Sequence, residues 1–170
     1  MAVLDDFFLD FSARKLRELE SRIAVCLSQL NEEQIWSRGG EHQNAVGNLV
    51  LHLSGNVRQW IISGTAGQTD IRNRDAEFAA RGGQPADLAA HLQRTVEEAA
   101  TVIERLTPER MGTRLTIQGY DVSVLEAVYH VVEHFSMHTG QIIFATKMLT
   151  GADLGFYRHL NAVTHSERTP

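Results

Sequence analysis

Cys26 is the only cysteine in 170 residues, so no internal disulfide can form, and a reducing, cytoplasmic setting is expected. Prolines number 3, and alternating β-branched runs are scarce. Both absences point away from a sheet fold and toward an all-α one. No apolar run is long enough to span a bilayer. The N-terminal MAVLDDFFLDF is acidic, whereas a secretory leader opens with a basic stretch, so no signal peptide is expected. Basic charge is not in excess either. Sixteen Lys and Arg face 21 Asp and Glu, for a formal net charge of −5, which gives no reason to expect nucleic-acid binding. A hydrophobic content of 43% over this length suits one domain, residues 1–170, around a single core.

Helical periodicity fills most of the chain. A first helix is expected from about Leu4 to Leu30, with Phe8, Phe11, Leu16, Leu19, Ile23, Leu27 and Leu30 recurring at three- and four-residue steps. Gly39 and Gly40 break the chain after it. A second helix is expected from about Asn44, a plausible N-cap, to Ile62, with Ala45, Val46, Leu49, Leu53 and Trp60 inward. Residues 63–84 form a long polar connection with four glycines, with room for a short helix around Asp75–Ala80. A third helix follows from Pro85, a first-turn proline, to about Leu106. An extended turn over Arg114–Gly119 leads to Asp121 or Ser123 as N-cap of a fourth helix, which Gly151 closes. In the tail, Phe156, Tyr157 and Leu160 are expected to pack on the helices and the last residues to fray. Four long amphipathic helices with one long connection specify a four-helix bundle.

The fourth helix carries the chemistry. Val124, Val128, Val131, Phe135, His138, Ile142, Ala145 and Leu149 make one stripe at spacings of four and three. His134 lies one turn before His138, and i,i+4 neighbours are about 5–6 Å apart at Cβ, so both rings can reach one metal ion. On the second helix, Asn48, His52 and Asn56 form a polar row beside the apolar stripe, with Gln59 one step further round. Buried polar groups need partners, and a polar site inside the bundle would supply them. His52, His134 and His138 are therefore candidate metal ligands. Three neutral imidazoles on a divalent ion leave a coordination position open, as in catalytic sites. HxxxH alone also fits two core histidines bonded to carbonyls, and no HExxH motif is present.

Asn48, Asn56, Gln59 and Gln141 are candidates for orienting the ligating rings or a substrate, because a ligating imidazole usually donates its other N–H to an oxygen. Asn56 and Gln141 can also bond each other. His130 fits a fourth ligand, a proton shuttle, an outer group or a plain rim histidine. Glu133 faces away from His138 and reads as a surface carboxylate, and Cys26 as a small core residue. His91, Arg58, Arg158 and His159 read as surface groups.

The stretches NAVGNLVLHLSGN (44–56) and HVVEHFSMHTGQI (130–142) resemble the DinB/YfiT-like superfamily of metal-dependent enzymes, nearest to a branch with no assigned activity. The resemblance runs from Phe8 to the tail, and HxxxH-x-GQ in the last long helix is its more specific part. It implies a four-helix bundle with a three-histidine site for a divalent ion, commonly zinc or nickel, on His52, His134 and His138. Members with assigned roles include thiol-S-transferases and isomerases using bacillithiol or mycothiol. Others are stress-associated proteins, and many form dimers. The expected function is accordingly metal-dependent transfer of a low-molecular-weight thiol, or hydrolysis of a small molecule. The alternatives are a non-catalytic metal- or ligand-binding protein of the stress-associated kind, and a plain helical interaction domain. A homodimer without nucleic-acid or membrane partners is expected.

Overall fold

The computed structural model describes residues 2–162 and 166. They are mostly helical. Helix α1 spans Ala2–Ser28, α2 Glu32–Ile35, α3 Val46–Val57, α4 Arg74–Ala79, α5 Pro85–Glu104, α6 Pro108–Met111 and α7 Val124–Thr150. Strands β1 (Arg114–Ile117) and β2 (Tyr120–Ser123) pair antiparallel. Among the described residues no helix is long and apolar enough to cross a membrane.

Four long helices make the core. Helix α1 packs on α5 and α7, and α3 packs on the same two. The resulting interior holds Leu16, Ile23, Leu53, Ile61, Leu92, Ile103 and Phe135, all fully buried. On α1 the expected Leu16, Leu19, Ile23 and Leu27 are buried, and only in the first turns is the inner face turned one step from the expected one. Leu9, Ser12 and Ala13 are inside, whereas Phe11 is 40% exposed and lies beside Arg14 and Lys15. The small side chains take the helix seam, and the ring stays outside with the charged ends of Arg14 and Lys15 5.6 and 5.7 Å from its centre.

Helix α3 begins two residues later than expected. Ala45 precedes it, and the Asn48 side chain accepts from the Ala45 N–H at 3.2 Å. The α-helix ends at Val57, but the helical path continues as a π-helix over Arg58–Thr65. Wider turns of this kind recur at functional sites. Here they leave Trp60, Ile61, Ile62 and Ser63 buried in succession, where 3.6 residues per turn would have turned one outward. Glycine permits two close approaches along this rod. A Cβ at Gly47 would stand 2.7 Å from the Trp36 ring, and one at Gly64 2.5 Å from Ile117.

The segment before α7 departs from the extended turn that periodicity suggests. It is a β-hairpin whose two-residue loop, Gln118-Gly119, has φ of 53° and 81°. Positive φ at both positions matches the right-handed twist of hairpin strands. Ser123 then caps α7 in a capping box with Glu126, and Gly151 ends the helix in the left-handed region at φ 66°.

Along α7, Val124, Val128, Val131, Phe135 and Ile142 are buried, as are Thr139 and Thr146. Both threonine hydroxyls donate to the carbonyl four residues back, at 2.8 Å, so neither is left unsatisfied in the core. At 100° per residue His138 lies about 40° to one side of Val124, at the margin of the buried face. His138 is accordingly only half-buried, whereas Leu149, in the last turn of the helix, reaches 38% exposure. In the tail Phe156 packs on the core, whereas Tyr157 and Leu160 are each 60% exposed. The expected fraying of the last residues falls outside the described residues.

Phe135 is fully buried where α7 faces the other helices. Phe135→Ala should lower stability by about 3–5 kcal/mol, measured by urea unfolding. A loss below about 1 kcal/mol would mean that this face is not the core.

Candidate metal centre

Helices α3 and α7 bring His52, His134 and His138 together. One ring nitrogen from each can be chosen so that all three lie within 4.8 Å of one another. His52 Nε2 stands 3.2 Å from His134 Nε2. Ring centroids are 5.0 Å apart for His52 and His134, 5.1 Å for His52 and His138, and 4.5 Å for His134 and His138. Zinc–nitrogen bonds of about 2.0–2.1 Å in a tetrahedron put neighbouring nitrogens about 3.3 Å apart, so the 3.2 Å edge already fits one shared ion. The donor set also fits chemically. Burial pushes His134 down to about 3, helped by the neighbouring His138, His52, His130 and Arg72. Burial likewise lowers His138. Both rings are thus neutral at neutral pH, with lone pairs available to a cation.

Two of the rings have oxygen acceptors behind them. His138 Nδ1 lies 2.7 Å from Gln141 Oε1, which makes Nδ1 the protonated nitrogen and leaves Nε2 free. His52 Nδ1 lies 3.1 Å from Glu77 Oε2. His134 Nδ1 is buried without a hydrogen-bond partner among the described residues.

Arg72 comes from the connection that precedes α4 and Glu77 from α4 itself, and neither stands out in the sequence. Arg72 clamps Glu77 through two hydrogen bonds, Nε to Oε1 at 2.8 Å and Nη2 to Oε2 at 2.9 Å. The Arg72 side chain is 4% exposed and that of Glu77 9%. Burial alone would raise the Glu77 carboxyl, but hydrogen bonds from Arg72 and His52, with their charges, hold it below its ordinary value. Breaking such a buried pair costs about 3–5 kcal/mol.

The other sequence candidates divide. Gln59 accepts from Arg72 Nη1 at 2.9 Å and donates to Asp70 at 2.7 Å. It reaches the histidines only through Arg72. Gln118, from the hairpin loop, also donates to Gln59. Asn48 hydrogen-bonds no histidine among the described residues. Its amide donates to the carbonyls of Glu77 at 2.9 Å and Ala80 at 3.0 Å, and its oxygen accepts from Arg38 at 2.6 Å, so it fastens α4 onto α3. Asn56 is buried, with its oxygen unpartnered among the described residues; Gln141 bonds His138 instead. His130 is half-buried, with its ring 4.2 Å from that of Trp60 and 5.5 Å from that of His134. Burial lowers its pKa, against the pull of Glu133. Glu133 and His91 are exposed and Cys26 is buried. Arg58 pairs with Glu98 and Arg158 with Asp153.

An open cavity of about 460 Å³ reaches His52 and His134, walled by Trp60, Tyr120 and His130 with Gln118, Arg74 and Glu126. Its volume suits a small molecule.

Residues 4–160 match the sequence model of a family described as a protein of unknown function, DUF1572. The chain belongs to that family. Among solved structures, the DUF1572 chain is similar to the crystal structure of a conserved protein from Enterococcus faecalis, with a TM-score of 0.68 and 14% identity over 84% of this chain and 96% of that one. At this identity the likeness concerns the fold. No curated protein matches.

The His134 shift gives a pH test in metal-free protein. Its folded-state pKa of about 3 lies below the ordinary 6.5, so the unfolded chain binds the extra proton first. The stability associated with this ring is complete above about 6.5 and is lost as pH falls toward about 3. Urea unfolding in chelator should therefore show declining stability between about pH 6.5 and 5, before most carboxylates titrate. The decline should be shallower in His134→Ala. Equal slopes in the two proteins would contradict the burial of a neutral His134.

Proposed function

We propose that this DUF1572 chain is a metal-dependent protein of the DinB/YfiT-like type. In this reading it is a four-helix bundle whose His52, His134 and His138 hold one divalent ion, zinc or nickel, with coordination left open toward a small molecule. One observation carries the reading: three imidazole nitrogens converge to within 4.8 Å of one another, two of the rings lining a cavity. The outer acceptors Glu77 and Gln141 add support, because they leave Nε2 of two rings free.

As an enzyme, the protein transfers a low-molecular-weight thiol or hydrolyses a small substrate. A bound divalent ion supplies Lewis acidity, which lowers the pKa of a coordinated group and makes it a nucleophile. The chain's own residues do the rest. Trp60, Tyr120 and His130 wall the cavity, which limits water around the reactants. His130, kept neutral by burial, is placed to accept a proton at the cavity wall. The family resemblance extends the proposal to a homodimer, and the single cysteine to a cytoplasmic one.

A second reading is a non-catalytic metal- or ligand-binding protein. It is favoured by the carboxylates near the cavity, both of which are engaged. Glu77 is held by Arg72, and Glu126 by Ser123 and Arg114. Glu77 is not free to act as a general base, and Glu126 is tied through Oε2 into the cap of α7, so chemistry would rest mainly on the ion and His130.

Metal analysis of purified protein should find about one divalent ion per chain, and His52→Ala, His134→Ala and His138→Ala should each lose it. Unchanged metal content in all three variants would contradict the site. Turnover with a panel of thiols and electrophiles, abolished by chelator and restored by metal, supports the enzyme reading. Metal binding without turnover supports the second.

A further inference from the structure

His52 Nδ1 has two neighbours at the same distance. Glu77 Oε2 and Arg72 Nη2 each stand 3.1 Å away. Two tautomers are compatible with that contact. In one, Nδ1–H donates to Glu77 and Nε2 presents its lone pair to His134 and His138. In the other, bare Nδ1 accepts from Arg72, and Nε2–H points at His134 and blocks ligation there. The charges decide between them. A bare Nδ1 would set its lone pair against a carboxylate oxygen, whereas N–H to a carboxylate is a charge-assisted bond. Arg72 Nη2 needs no help from the ring, because it already donates to Glu77 Oε2 at 2.9 Å.

Glu77 can stand there only because of Gly55. A Cβ on Gly55 would lie 1.9 Å from Glu77 Oε1 and 3.0 Å from Arg72 Nε. Gly55 lies inside α3, where glycine is otherwise a poor choice. From there it accommodates the carboxylate of a residue in α4.

We propose that Glu77, clamped by Arg72 in the space that Gly55 leaves open, is the positioning residue that fixes His52 as its Nδ1–H tautomer and turns Nε2 toward His134 and His138. The inference deepens the metal reading and rests on it for its consequence, a tighter hold on the ion. Outer acceptors of this kind change metal affinity by about 10–100-fold when removed.

Gly55→Ala is the sharpest test. Alanine favours the helix, and the atom it displaces is the end of a flexible side chain, so the fold should persist while the carboxylate is pushed off His52. Glu77→Gln is the second variant, and both are made in the full chain. Two measurements separate the outcomes. Ring-nitrogen NMR of metal-free protein should report His52 as Nδ1–H in the unaltered chain and lose that signature in Gly55→Ala. Zinc titration should show the dissociation constant rising about 10-fold or more in Gly55→Ala, in a chain whose cooperative thermal transition shows that it still folds, although the disturbed Arg72–Glu77 pair lowers its midpoint. Glu77→Gln should weaken zinc in the same direction, since its amide cannot serve both Arg72 and His52 as an acceptor on each oxygen. A lost signature in a chain that takes up no zinc would sink the metal reading alone and leave the Glu77–His52 link standing. An Nε2–H tautomer in the unaltered chain, or an unchanged tautomer and zinc affinity in both variants, overturns the proposal.

Discussion

Two imidazole nitrogens from positions 82 residues apart stand 3.2 Å from each other. At that separation two lone pairs repel, so a proton or a cation must lie between them. A neutral N–H···N bond meets that need without any charge, whereas burial disfavours a fully protonated, charged ring, as the depressed His134 pKa records. The helices hold this pair in place. Val50, Leu53 and Val57 on α3, with Val128, Val131 and Phe135 on α7, are fully buried and fix how the two helices meet. The hydrophobic core therefore sets the spacing of the rings, and a donor set spaced in advance binds an ion with little reorganisation.

The connection between α3 and α5 completes the site. Arg72 and Glu77 are buried within it, while Asp70, Arg74, Asp75 and Arg81 face solvent. Asn48 fastens the end of α4 through carbonyls, Gln59 holds Arg72, and Gly55 makes room for Glu77. The result is a buried Arg72–Glu77 pair behind His52 and an open cavity before it. The π-helical end of α3 contributes Gln59 to the first and Trp60 to the second. Low-dielectric surroundings on one side and access on the other are what an ion with open coordination requires.

The pairing of His134 with His138 was legible in sequence because i,i+4 spacing on a long amphipathic helix leaves little freedom. His52 was legible because a polar row beside an apolar stripe needs an explanation. The polar row was only partly resolved by that reasoning, since Asn48 serves α4 and not the rings. Glu77 and Arg72 were hidden. A charged residue in a polar, glycine-bearing connection looks solvated, and only the fold shows that both side chains are buried. Gly55 was hidden for the same reason, because its neighbour is 22 positions away in sequence, 77 less 55. The hairpin was missed because Gln118-Gly119 is not among the strongest turn pairs, although Gln118 adopts the positive φ the turn needs. His138 lies at the margin of the buried face of α7, at the edge of the core rather than within it.

The central claim is that one cation is shared by His52, His134 and His138. Anomalous diffraction from crystals grown with zinc or nickel tests it most directly. A single strong anomalous peak about 2.0–2.2 Å from a nitrogen of each ring is expected, with coordination open toward the cavity. A metal-loaded crystal with no peak among the three rings, or with the ion bound elsewhere on the chain, would contradict it.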